Sequence, residues 1–174
     1  MSVSAEIFEQ LRALGIQYEG LAHAPVHNME DCRFTEAELG GIMPKNLLLT
    51  PRNRSAFALV ILMPDAPFRT SDISKQMGMP RLSFAADGDL EPTLRTYENA
   101  LSPLGLMFAP EGMRVGIDRR LRDCDRLLFH PNDSGMTVAI SGADFFERFL
   151  PAMDVEVVDL VVDCRGALWA PANL

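Results

Sequence analysis

Lysine is almost missing from this chain. Only Lys45 and Lys75 stand among 16 basic residues, the others being arginine, and 24 Asp and Glu leave a formal net charge of −8. An acid excess of that size argues against a protein that coats nucleic acid through its phosphates, and against DNA as a partner. Long apolar runs are also missing: the longest, Ala56 to Met63, is strand-sized, well short of the roughly 20 residues of a membrane span. Met1 to Glu6 has no basic region leading into an apolar one, so no targeting leader is expected. The three cysteines, Cys32, Cys124 and Cys164, are odd in number and widely spaced. They build neither a disulfide framework nor a zinc motif, and a reducing cytoplasm is the expected compartment. The three histidines, His23, His27 and His130, come without HExxH or CxxC, so no metal or other cofactor is expected. His23 and His27 are four apart, yet Pro25 breaks the helix that would align them on a metal. No GxGxxG or P-loop sits between a strand and a helix, which removes the usual dinucleotide and nucleoside-triphosphate folds. Ser83, Ser102 and Ser134 lie in neither a GxSxG elbow nor an SxxK arrangement, so nothing beyond residue type supports a serine nucleophile.

What is present is the composition of an ordinary globular protein, 48% hydrophobic and 23% charged over 174 residues. With no internal repeat and no linker-like shift in composition, residues 1–174 are expected to form one domain able to bury a core. After Ser4, a possible N-cap, Ile7, Phe8, Leu11 and Leu14 recur at helical spacing up to Gly15. Ile16 to Ala22 reads as a strand, and Asn28 can cap a helix from Met29 to Leu39 or a pair of shorter ones. Apolar runs Lys45 to Thr50 and Ala56 to Met63 flank Pro51-Arg52-Asn53-Arg54, the pattern of a buried hairpin. Further along, the pattern predicts a helix over Ser71 to Met77, a strand over Arg81 to Ala85, and a helix opened by Asp87 or Asp89. Strands are expected at Gly105 to Phe108, Met113 to Asp118, Arg126 to Phe129 and Met136 to Ile140. Ser141 with Asp144 opens a helix holding Phe145, Phe146 and Phe149, with Pro151 as its stop. A last strand, Val155 to Leu160, is expected to run on into Val161 and Val162. Strands outnumber helices and several join by tight turns, so the fold class is α+β with a mixed, mostly antiparallel sheet. The methionines Met63, Met77, Met79, Met107, Met113 and Met136 fit as core filler.

Polar groups gather at three strand ends or loops: Lys45-Asn46, Ser102-Pro103-Leu104-Gly105, and the loop after His130. A lysine beside an amide at the start of a buried strand can aim a fixed charge and a donor into a cavity, as a phosphate or oxyanion partner would. From the residues alone, a solvated strand-end lysine is the simpler account. His130, between Phe129 and Pro131, suits a base or a substrate hydrogen-bond partner, and equally a buried histidine satisfied by backbone.

Taken together, the strings in order are His23-Ala24-Pro25-Val26, Lys45-Asn46-Leu47-Leu48-Leu49, Arg81-Leu82-Ser83-Phe84-Ala85, Ser102-Pro103-Leu104-Gly105-Leu106 and Phe129-His130-Pro131, with Thr137 and Ile140-Ser141 beyond. This succession, from about Ile16 to Leu160, resembles the YbaK/prolyl-tRNA synthetase-associated domain family, and within it the free-standing ProX-type branch. The resemblance implies a compact domain with a twisted, barrel-like sheet that hydrolyses, in trans and without a metal or covalent nucleophile, the ester joining a wrong amino acid to tRNA. Alanyl-tRNA with the proline anticodon is the implied substrate, its 3′ end the implied contact, and prolyl-tRNA synthetase a candidate partner. The implied catalytic set is Lys45, Asn46 and His130. The implied substrate-binding set is the loop Asn99, Ala100, Leu101, Ser102 and Pro103, through its backbone N–H groups, with Ser134 and Thr137; Leu104 and Phe129 are candidates to line the pocket. Asn99 stands where the family has glycine, and Ser134 where it has asparagine. Asparagine tolerates φ > 0 better than most residues but adds bulk. Both departures leave seryl-, threonyl- or cysteinyl-tRNA open as substrates, and a non-catalytic binding module of the same fold remains the other class. A local positive spot, Lys45 with nearby arginines, is expected on the acidic surface.

Overall fold

The computed structural model describes residues 1–162; Cys164 lies outside them. Helix α1 (Val3–Ala13) buries Ile7 and Leu11, and its cap is Ser2 rather than Ser4, the Ser2 hydroxyl accepting the Ala5 N–H at 3.2 Å. Asn28 does act before α2 (Cys32–Leu39), but one turn early: its Oδ1 accepts the Asp31 N–H at 3.0 Å, and the helix proper starts at Cys32. Helices α3 (Thr70–Gln76) and α4 (Asp87–Leu94) fall where expected. Asp89 caps the latter by reaching back to the Ala86 N–H at 2.9 Å.

The strands are β1 (Tyr18–Ala22), β2 (Lys45–Pro51), β3 (Ala58–Leu62), β4 (Leu82–Phe84), β5 (Arg114–Asp118), β6 (Arg126–Phe129), β7 (Met136–Ser141) and β8 (Glu156–Leu160). They make a five-stranded sheet in the order β4-β2-β3-β5-β8 and a three-stranded sheet β1-β7-β6. The hairpin β2–β3, the pair β2–β4 and the whole smaller sheet are antiparallel, while β5 runs parallel to β3 and β8. The fold is thus the expected mixed, mostly antiparallel α+β, with the strands divided between two sheets. One parallel bridge, Ile42 to Leu127, joins them. Every residue of β3 is buried, and its alternation serves both faces: Leu59 and Ile61 join the main core with Phe129, Phe145 and Phe149, while Ala58, Val60 and Leu62 pack under α3 with Ile73 and Met77. A third cluster, Val26, Cys32, Leu39, Met43, Leu128 and Ala139, seats α2.

Three expectations are corrected. Residues Pro103–Phe108 form a 3₁₀ turn, not a strand. Ser102 caps it by accepting the Leu104 N–H at 3.1 Å and Pro103 supplies a helical φ at its first position, local signals that override a short apolar run. Strand β8 ends at Leu160, because the Gln76 side chain takes both backbone groups of Val161, at 2.8 and 3.1 Å. Pro151 does not stop its helix. Residues 142–152 open as Gly142–Asp144, widen into a π turn over Phe145–Phe149 and close as Leu150–Ala152. The Leu150 N–H reaches Phe145 O, so the hydrogen-bond register has slipped where the proline lacks a donor.

Gly142 sits tightly against the preceding loop: a Cβ there would lie 2.0 Å from the Cys124 carbonyl oxygen, whereas one at Gly88 in α4 would meet nothing within 4 Å. Gly142→Ala should therefore lower the free energy of unfolding by about 1–3 kcal/mol, and Gly88→Ala should raise it by about 0.5 kcal/mol. Urea melts of the two variants check both signs.

Candidate active site

A cleft of about 410 Å³ opens where β2 begins and β6 ends, walled by α2, the end of β4 and the loop after α4. It brings together Lys45, Asn46, Asn99, Leu101 and His130 from the sequence-derived set. Ala100, Ser102, Pro103, Ser134 and Thr137 are not on its wall; they lie behind or beside these residues. Leu104 and Phe129 are wholly buried in the main core and do not line it. Among the described residues, the expected arginines are absent from the wall too. Its only lysine is Lys45, and Asp87 and Glu98 are its carboxylates.

Lys45 opens β2 with its ammonium half-buried. Nζ donates to the Ala66 carbonyl at 2.8 Å and lies 5.1 Å from the centre of the Phe68 ring. Burial lowers its pKa from the ordinary lysine value, and the nearby Asp65 carboxylate works against that. The turn that offers the Ala66 carbonyl is held from below. Asp118, fully buried, accepts the Met63 N–H at 3.3 Å and Arg120 Nη2 at 2.7 Å, and Arg120 also reaches Asp65 at 3.5 Å. Asn46 Nδ2 donates to the Leu101 carbonyl at 3.2 Å, tying β2 to the motif loop. Its Oδ1 is buried without a hydrogen-bond partner among the described residues.

His130 follows β6 directly and is 7% exposed. Its Nδ1 lies 2.8 Å from the Met136 carbonyl, which can only accept, so Nδ1 carries the proton and Nε2 is left as an acceptor. Burial pushes its pKa below the usual histidine value, so the ring is neutral near pH 7. His23 stands beside it with ring centres 6.1 Å apart. Its Nδ1 donates to the Ala24 carbonyl at 2.8 Å, and its Nε2 lies 2.8 Å from the Thr137 hydroxyl, which can donate or accept. Thr137 thereby spaces the two imidazoles, lying 3.5 Å from His130 Nδ1.

In the motif loop, the Ala100 N–H closes a turn onto the Tyr97 carbonyl at 3.1 Å, and Asn99 has φ 66°. A positive φ at the third residue alone is the type II turn, which favours glycine and next asparagine there. The replacement of the family glycine thus keeps the backbone course. The Ala100 donor is spent in this turn and Pro103 has none, which narrows the supply of backbone donors to Asn99, Leu101 and Ser102; among the described residues no acceptor occupies their N–H groups. Ser134 braces the loop from outside, its N–H donating to the Tyr97 hydroxyl at 3.0 Å. Asn132 is the second brace, its Nδ2 donating to the Leu94 carbonyl at 2.8 Å while the side chain packs on Gly105. None of Ser83, Ser102 and Ser134 is hydrogen-bonded to a histidine among the described residues. Sequence reasoning missed His23, Tyr97, Phe68 and the Asp118–Arg120 pair. His23 opened the first motif string, and Tyr97, one of two tyrosines and next to the motif loop, also carried a readable signal.

A cleft that joins one lysine and a neutral histidine is suited to an anionic or ester ligand. The model of the aminoacyl-tRNA editing domain matches residues 23–147. The chain belongs to that family. Among curated relatives, the prolyl-tRNA editing protein ProX of Acetoanaerobium sticklandii is 27% identical over 145 residues, covering 83% of this chain and 88% of that one. Prolyl-tRNA synthetase associated domain-containing protein 1 of Mus musculus is 26% identical over 145 residues, covering 81% and 86%. The crystal structure of hypothetical protein APE2540 superposes with a TM-score of 0.70 at 16% identity, over 91% of this chain and 99% of that one. That of a candidate trans-editing enzyme for prolyl tRNA synthetase gives 0.66 at 15% identity, over 92% and 98%. Both structures share the fold of this editing domain.

Two outcomes follow from the geometry. Asn99→Gly should leave stability near the parent, whereas Asn99→Ala should destabilise by about 1 kcal/mol through its positive φ, as thermal melts of the pair will read. His130, with its folded pKa below the unfolded value of about 6.5, adds stability that is complete above that pH and is lost as the pH falls through the folded value. The unfolding free energy should therefore fall on acidification from about pH 7 to 5, less steeply in His130→Gln.

Proposed function

We propose that the protein hydrolyses the ester between a wrongly attached amino acid and the 3′ end of tRNA, acting in trans, with alanyl-tRNA bearing the proline anticodon as its preferred substrate. The observation that carries this reading is the meeting, in one cleft of an aminoacyl-tRNA editing domain, of the Lys45 ammonium and the neutral His130 imidazole. The ProX relative is named a prolyl-tRNA editing protein, which supports the proline anticodon. Prolyl-tRNA synthetase is the candidate protein partner.

An aminoacyl ester is activated by its own α-ammonium group, so it needs a placed water and stabilisation of the developing oxyanion rather than a covalent nucleophile or a metal. Lys45 has one proton engaged by Ala66 and others free for the terminal phosphate or the ester carbonyl. His130 Nε2, as acceptor, can orient the attacking water and take up its proton. The N–H of Leu101, on the cleft wall, is the backbone donor available to the oxyanion, and Asn46, tied to the Leu101 carbonyl, holds that donor in place. Val26, Cys32 and Met43 close the floor of the cleft against α2. On this reading discrimination is by size, with a methyl side chain admitted against that floor and a proline ring excluded.

Purified protein should deacylate tRNA charged with alanine and leave prolyl-tRNA intact, in a panel that also carries serine, threonine and cysteine. Lys45→Ala should slow the favoured reaction by about 10²- to 10³-fold. Hydrolysis of a non-alanyl species alone would move the substrate, since Asn99 on the cleft wall adds bulk where the family has glycine. Activity on none of the five would replace the hydrolase with a binding module.

A further inference from the structure

We propose that the exposed ring of Phe84 is the stacking platform for the nucleobase at the 3′ end of the RNA, a proposal that deepens the reading above and rests on it. Phe84 is 58% exposed and lines the cleft. It closes β4, the three-residue strand at the edge of the larger sheet, opposite Leu49 of β2. Leu82 and Phe84 share one face of that strand, but only Leu82 is buried, in the cluster under α3. The same apolar face therefore runs past the core and ends at the cleft mouth.

The ring is held in place rather than left loose. Phe68 meets it edge to face, with centres 6.0 Å apart and planes at 76°. Phe68 is also the ring over which the Lys45 ammonium sits, so platform and cation are braced by one side chain. An aromatic face beside a fixed positive charge, at the mouth of a cleft, is the arrangement that grips a single-stranded nucleotide end: the base stacks and the phosphate pairs. Stacking accepts any base, which suits a 3′ end common to all tRNAs. A protein partner fits less well, since one ring beside a charged cleft offers little of the apolar area that such interfaces bury. Anchoring the terminal nucleotide at Phe84 and Lys45 leaves its ester to reach toward His130, on the same wall.

The test uses the full chain, its Phe84→Ala, Phe84→Leu and Phe84→Trp variants, and a short RNA ending in CCA with 2-aminopurine in place of the last adenine. Binding to the parent should change the probe's fluorescence. Phe84→Ala should weaken binding about five- to hundredfold, Phe84→Leu should not restore it, and Phe84→Trp should. The same RNA with an abasic last nucleotide should bind all four proteins equally weakly. On alanyl-tRNA, Phe84→Ala should raise KM by a similar factor with kcat within about twofold. Equal binding by parent and Phe84→Ala, or full rescue by leucine, overturns the platform even if the parent deacylates alanyl-tRNA. Conversely, a Phe84-dependent response to the probe in a protein that deacylates nothing keeps the platform and removes the hydrolase.

Discussion

Two backbone hydrogen bonds at Ile42 hold the molecule's two sheets in register: its N–H donates to the Arg126 carbonyl at 3.1 Å, and its carbonyl receives the Leu128 N–H at 2.9 Å. Everything in the cleft depends on that bridge. Three residues downstream of it Lys45 opens β2, and three residues downstream of its partner Leu127 stands His130. The approach is close enough to require glycine beside it, for a Cβ on Gly41, at φ +137°, would fall 2.7 Å from the Arg126 oxygen. A glycine that looks like the end of a helix in the sequence is thus what lets the lysine and histidine of separate sheets face one ligand.

The second constraint is electrostatic. The Lys45 ammonium is partly withdrawn from water on an acidic protein, and its support is local: a carbonyl, an aromatic face and the field of Asp65. The carbonyl is offered by a turn whose first residue is fastened to the buried Asp118 carboxylate, itself paired with Arg120. The paired acid sits behind the site and the ammonium in front. That separation lets a protein of net charge −8 present a cation to a polyanion without a basic surface.

The secondary structure was legible where local and nonlocal preferences agree. The β2–β3 hairpin, α1, α3, α4 and the β6–β7 pair carry both the hydrophobic period and the punctuation, and they lie within a residue or two of expectation. Gly105 to Phe108 misleads because its apolar residues suit a strand while Ser102 and Pro103 dictate a turn. Pro151 misleads because a π turn absorbs it, and no local pattern announces such a slip. In the site, Lys45, Asn46 and His130 were readable from motif strings, and Asn99 from its place four residues before Pro103. Ser134 and Thr137 were readable as positions, but not as braces behind the cleft, since what they touch, Tyr97 and His23, is more than 35 residues away in sequence. The pairing of sheets that decides such contacts has no short-range signature.

The register Tyr18 opposite Ile140 sets an order of events during synthesis. Strand β1 is made early, yet its only sheet neighbour among the described residues, β7, emerges more than 110 residues later, after β6, which completes the bridge to Ile42. A nascent chain therefore carries Lys45 on a hairpin that can already form, while His130 and the wall it belongs to are still unmade. Long-range pairings of this kind also slow folding, because the chain must close a large loop before any contact repays it. The cleft is consequently a late product of folding, and a truncated translation product ending before β7 would keep the hairpin and its lysine without the histidine side of the site held in its sheet.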